Sequence, residues 1–164
     1  MSGIVVWLTG LPASGKSSLA TRVSALLEHP ALILDSDDLR TILETSSYAS
    51  SDRERFYRVL ARMAAAFARQ GLVVLVAATA PRRAQRDHAR ELAPRFVEVW
   101  VRTPLDECAR RDVKGLYAAA AIGEIAALPG VGVAYEPPTA PDVTAEGGRD
   151  EVAAAAIVER IRAS

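Results

Sequence analysis

Cysteine is almost absent from this chain. Cys108 is the single instance in 164 residues, so no internal disulfide can form, which suits a reducing compartment. Cys108 also lies in an Arg/Glu-rich helical stretch without a base partner, which argues against a catalytic thiol. Aromatics are scarce at 5%, so the apolar half of the chain is mostly Ala, Val and Leu. Neither sign of charge dominates: 20 basic residues balance 20 acidic ones, which argues against a general nucleic-acid binder without excluding a local basic pocket. No apolar run reaches membrane-spanning length, and the first residues lead into an apolar strand without a charged leader; the cytoplasm is the expected compartment. Lysine is scarce too. Of the basic residues only Lys16 and Lys114 are lysines, and both fall in motifs considered below.

Length and alternation suggest one domain over residues 1–164. Ile4 to Leu8 is an unbroken apolar run rich in β-branched residues, the pattern of a strand buried on both faces of a parallel sheet. Apolar residues at helical spacing follow over 17–27, with further strands expected at 31–34, 72–77, 96–101 and near Val143. Helices are expected from Ser51 or Asp52 to Ala68, from Pro81 to about Leu92, from Pro104 to about Asp112 and from Asp150 to Arg162. Alternating strands and helices imply an α/β, three-layer fold: about five parallel strands with helices on both faces. Residues 113–141 are punctuated by glycine and proline and are too long for a plain connection, so a lid is expected there.

Gly10-Leu11-Pro12-Ala13-Ser14-Gly15-Lys16-Ser17 fits the phosphate-loop pattern G-x-x-x-x-G-K-[ST] in full, between a buried-type strand and an amphipathic helix. Its glycines let successive backbone N–H groups turn inward onto phosphate oxygens, and the next helix, opening with Ser17 and Ser18, adds its positive end. Lys16 supplies an ammonium for the β- and γ-phosphates, and the Ser17 hydroxyl is a magnesium ligand. The pattern implies an ATP–Mg²⁺-dependent kinase. At the end of the second strand stand Asp35 and Asp37, where open α/β sheets place their ligands. Asp37 is the candidate general base and Asp35 the metal-side carboxylate; Asp37 or Asp38 can also cap the next helix, which is compatible with catalysis.

Several segments resemble the adenylylsulfate kinases, which phosphorylate the ribose 3′-hydroxyl of adenosine 5′-phosphosulfate. Leu34-Asp35-Ser36-Asp37-Asp38-Leu39-Arg40 is similar to that family's L-D-G-D-N-x-R, and Asp52-Arg53 to the D-R opening its next helix. Ala77 through Arg90 resembles A-x-I-S-P-Y-R-x-x-R-x-x-x-R. Arg111 through Tyr117 with Gly123-Glu124-Ile125 resembles the R-D-x-K-G-L-Y and G-E-I lid, and Tyr135-Glu136-Pro137-Pro138 with Pro141 its Y-E-x-P-x-x-P segment. The resemblance implies that Asp37 sits beside the acceptor hydroxyl, that Arg40 and Arg53 hold the acceptor's anion, that Arg111 and Lys114 belong to a lid over ATP, and that the enzyme is a homodimer with small-molecule partners. Departures cluster on the acceptor side. Phe56 replaces an amide, Leu128 replaces one of two aromatics that clamp adenine, Tyr48 keeps the other, Ala80 replaces a serine, and Ala119-Ala120-Ala121 replaces a basic run. A relative acting on another nucleotide, such as a cytidine diphosphate or phosphoramidate derivative, is the competing expectation. A nucleotide-binding switch without transfer chemistry fits less well, since no N-K-x-D motif is present and the two aspartates would be idle.

Overall fold

The computed structural model describes residues 2–112, 114–125 and 128–163. Val113, Ala126 and Ala127, all within the expected lid, lie outside the described residues.

Strand β1 (Ile4–Thr9) is buried along its whole length, as an unbroken apolar run requires. It lies at the centre of a five-stranded sheet of order β2 (Leu32–Asp35), β3 (Val73–Ala77), β1, β4 (Phe96–Val101), β7 (Val143–Ala145), all pairs parallel. Side chains of a strand alternate between faces, so β1 feeds two cores at once. Ile4, Val6 and Leu8 pack with Leu19 and Val23 of α1 (Lys16–Ala25) and Ile157 of α7 (Glu151–Arg162). Val5 and Trp7 pack with Leu60, Ala61 and Ala64 of α3 (Ser50–Arg69) and Ala89 of α4 (Arg83–Leu92). The Trp7 indole satisfies its buried N–H on the Ala78 carbonyl at 3.2 Å. Helix on sheet on helix is the expected three-layer architecture.

Two short helices fall where periodicity gives no signal. Helix α2 (Ser36–Ile42) starts directly after β2, and Asp35 caps it by accepting the Asp37 N–H at 2.9 Å. The capping residue is therefore Asp35, and Asp37 stands in the first turn rather than at the cap. Helix α3 starts at Ser50, so Ser51 and Asp52 lie inside its first turn, where the Asp52 carboxylate accepts from the Ser47 hydroxyl at 2.6 Å. Pro81 precedes α4 instead of opening it; the Gln85 side chain accepts the Arg82 N–H at 3.1 Å there. Beyond α5 (Leu105–Arg111) the expected irregular lid contains α6 (Leu116–Ala121) and the two-residue strands β5 (Leu128–Pro129) and β6 (Gly132–Val133). Asp112, at φ 32°, caps α6 through its carboxylate, which accepts from Tyr117 N at 2.8 Å and Ala118 N at 2.9 Å.

A phosphate loop and an arginine-lined cleft

The loop between β1 and α1 is built by close approach. A Cβ at Gly10 would meet the Val101 carbonyl at 2.5 Å. Gly15, at φ +102°, faces Gly148, whose N would stand 2.6 Å from an added Cβ. Only glycine fits both positions. Thr103 ties the loop to the end of β4, its hydroxyl donating to the Ser14 carbonyl at 2.6 Å. From the lid, the Tyr117 hydroxyl donates to the Pro12 carbonyl at 2.7 Å, and burial raises its pKa so that it remains a donor. Lys16 curls back over the loop, donating to the carbonyls of Gly10 (3.0 Å) and Leu11 (2.8 Å). Burial, reinforced by the neighbouring Lys114 charge, lowers the Lys16 ammonium pKa to about 7.

Opening over this loop is a cleft of 940 Å³. It brings together Pro12, Ala13, Ser14, Gly15, Lys16, Ser17 and Ser18 with Asp37, Arg40, Tyr48, Arg53, Arg111, Lys114 and Leu128. Gly10, Leu11 and Asp35 lie behind its wall, Gly10 and Leu11 offering their carbonyls to Lys16 and Asp35 accepting from the Ser17 hydroxyl. Lys114 is ion-paired to Asp37, and Arg111 to Glu107. Phe56 and Ala80 do not line the cleft. Phe56 is 5% exposed and lies beneath the Arg40 guanidinium. Ala80 is fully buried at φ 40°, its carbonyl accepting from Arg86 at 2.5 Å.

Ser17 Oγ and Asp35 Oδ2 touch each other and form a pair of hard oxygen donors. Among the described residues no group of three or more His, Cys, Asp or Glu side chains could hold a metal. That donor set suits magnesium, which keeps most of its shell as water and phosphate oxygen.

At the other end of the cleft, α3 presents Arg53, Tyr57 and, one turn along, buried Phe56 on a single face, the spacing i, i+3, i+4. Arg53 is only 8% exposed, and its Nη2 has no hydrogen-bond partner. An unpaired buried guanidinium N–H is costly unless something fills the space before it. Tyr57, Thr79 and the segment Glu146 to Asp150 also line the cleft, and none of them is among the site residues expected from the sequence. Tyr57 was findable as the residue one helical turn beyond Arg53, and Gly147-Gly148 as a glycine pair following a strand end.

A glycine loop closing on a central parallel strand, its lysine aimed back into the loop, and cations facing a carboxylate across one cleft define a P-loop phosphotransferase. The chain belongs to the adenylylsulphate kinase family, whose model matches residues 2–146. It is 43% identical over 146 residues to an adenylyl-sulfate kinase of Chloroflexus aurantiacus, covering 87% of this chain and 78% of that one. With an adenylyl-sulfate kinase of Myxococcus xanthus it shares 41% over 160 residues, 93% of this chain and 86% of the relative. The structure is similar to that of the Mycobacterium tuberculosis APS kinase CysC in complex with AMPPNP and APS, with a TM-score of 0.89, 36% identity and 99% of each chain covered. No described helix is long and apolar enough to cross a membrane.

Proposed function

We propose that this protein transfers the γ-phosphoryl group of ATP to the ribose 3′-hydroxyl of adenosine 5′-phosphosulfate. One observation carries the reading: a single cleft holds the phosphate loop and, with it, a buried arginine whose Nη2 has no partner. Backbone N–H groups of Ala13 and of Gly15 to Ser18, with the Lys16 ammonium, hold the β- and γ-phosphates, with Arg111 and Lys114 above them. Ser17 and Asp35 would hold magnesium, which when bound would supply neutralisation of charge developing on the phosphate oxygens. Arg53 and Arg40 take the acceptor's anion, since a planar fork gives paired N–H bonds to a tetrahedral oxyanion. Tyr48 offers a ring face for stacking the acceptor's base, and Leu128 an apolar wall.

Asp37 accepts the proton of the 3′-hydroxyl as the hydroxyl oxygen bonds to the γ-phosphorus and the bond to the bridging oxygen of ADP breaks. In the structure its Oδ2 is paired with Lys114, so that oxygen faces a hydroxyl once the lysine has moved. A triphosphate in the loop supplies the competing anion. The reaction belongs to the cytoplasm, where ATP is available and where Cys108, buried and free, stays reduced.

An acceptor panel with purified protein tests the reading. Adenosine 5′-phosphosulfate is expected to support turnover and a cytidine diphosphate derivative to support none. The reverse pattern would assign the cleft to the other nucleotide class.

A further inference from the structure

The geometry points to Phe56 as a positioning residue: it and Tyr48 hold the Arg40 guanidinium as a preformed fork for the acceptor's oxyanion. The inference rests on the proposed function for the identity of that anion, and on geometry alone for the fork.

Arg40 comes from α2 and meets aromatic rings from two other places. Its guanidinium carbon lies 4.1 Å from the centroid of Phe56, in α3, and 4.5 Å from that of Tyr48, in the segment leading into α3. Phe56 is itself fixed, 5% exposed and edge-on to Tyr57 with centroids 5.6 Å apart at 73°. Stacking uses the faces of a guanidinium and leaves its N–H groups free in the plane. One of these, on Nη1, donates to the Ser47 carbonyl at 3.3 Å, and the Arg40 carbonyl accepts from Thr45 N at 3.0 Å, so the same residue folds the 43–49 loop that carries Tyr48. Arg40 and Tyr48 line both the main cleft and an adjoining hollow of 420 Å³. A free arginine side chain samples many rotamers, and ordering it on binding weakens affinity; one already held between rings has lost that freedom beforehand. Phe56 makes no contact with the cleft of its own. Its neighbours that do line the cleft are Arg40 and Tyr57, and the route through Arg40 is the one the Arg40→Lys background isolates.

Two measurements separate the fork from the acceptor. In the ligand-free protein, the Arg40 Nε–H resonance is expected to be resolved and shifted by the ring currents of both aromatics, and Phe56→Leu, or Phe56→Met should the first variant fold poorly, should collapse it toward the exposed-arginine position. An unchanged resonance in a folded variant would overturn the inference. In the kinase assay the same variant should raise KM for adenosine 5′-phosphosulfate about tenfold, leave KM for ATP within about twofold, and change kcat little. In an Arg40→Lys background the Phe56 substitution should add less than about twofold, because both changes act on one fork. Additive effects, or equal losses for ATP and acceptor, would reduce Phe56 to a core residue and overturn the inference. Absence of wild-type turnover with adenosine 5′-phosphosulfate would instead count against the proposed acceptor, and the Arg40 resonance would still decide the fork.

Discussion

Lys16 shows how one side chain couples burial to ligand charge. Its pKa of about 7 in the free protein, against 10.5 for an ordinary lysine, means that near pH 8 the folded protein leaves it mostly neutral. A triphosphate favours the ammonium. Binding of ATP above pH 7 should therefore take up about one proton per site, and affinity should fall as pH rises through that range. Calorimetry in buffers of different ionisation enthalpy reads the uptake directly; equal heats in all buffers at pH 8 would contradict the assignment. The sign for stability is opposite. Between pH 7 and 10.5 the unfolded chain binds this proton and the folded one does not, so this group makes the ligand-free protein more stable as pH increases. For Asp37, the proposed base, Asp37→Asn should leave ATP binding nearly intact and lower turnover about 10²–10⁴-fold. Full activity in that variant would remove Asp37 from the chemistry.

At the scale of elements, the site depends on contacts between segments far apart in sequence. Gly148 sits against the phosphate loop so tightly that an added Cβ would lie 2.7 Å from the Gly15 carbonyl oxygen and 3.0 Å from Ser18 Cβ. Gly148→Ala should push the 146–150 loop off the phosphate loop and weaken ATP binding about tenfold, within the range for overpacking, while the melting temperature of the free protein changes less than its ATP-induced increase. On the other side, Arg86 is 1% exposed and joins three elements. It donates to Glu98 of β4 at 3.1 Å, to the Ala80 carbonyl at 2.5 Å and to the Glu136 carbonyl at 2.6 Å. Arg86→Met strands the Glu98 carboxylate, which also sits 3.4 Å from half-exposed Arg90. Losing one partner of a buried pair costs about 3–5 kcal/mol, which for a chain this size is a fall in melting temperature of about 10 °C. A fall under 2–3 °C, read by calorimetry, would mean that Arg90 compensates.

How much of this was legible depends on how local each signal is. The phosphate loop is contiguous, its function set by eight adjacent residues, and its position in the sheet follows from the apolar run before it. Strands β1, β3 and β4 and helices α3 and α7 were legible for the same reason: their periodicity runs for many residues. Helices α2 and α6, at seven and six residues, are too short for a period and are defined by capping from Asp35 and Asp112. Asp112 reads in sequence as the last residue of α5, whereas its left-handed backbone ends that helix and turns the carboxylate onto the next. Phe56 reads as an acceptor contact because of its place in a motif, but the helix face that carries Arg53 and Tyr57 buries it under Arg40. Spacing shows that these residues share a helix face, but not that Arg40 covers it or that Gly148 lies on Gly15.

For the whole molecule, the proposed reaction brings both substrates into one cleft, with Lys114, Leu116 and Tyr117 along its lining as the proposed roof. Tyr117 on the phosphate loop and Lys114 on Asp37 hold that roof in the free protein. Nucleotide should exchange the second contact for phosphate contacts and order the segment further. Amide hydrogen exchange in Leu116–Ala121 should slow on addition of ATP and magnesium; exchange that stays the same would argue against a moving lid. The most direct test of the central claim follows the phosphoryl group itself. ATP labelled in its γ-phosphate is incubated with the protein, magnesium and adenosine 5′-phosphosulfate, and the labelled product is identified. The account predicts label on the ribose 3′-oxygen of the acceptor, with one ADP formed for each group moved. Label appearing only as inorganic phosphate, or remaining in ATP while the acceptor is unchanged, would contradict it.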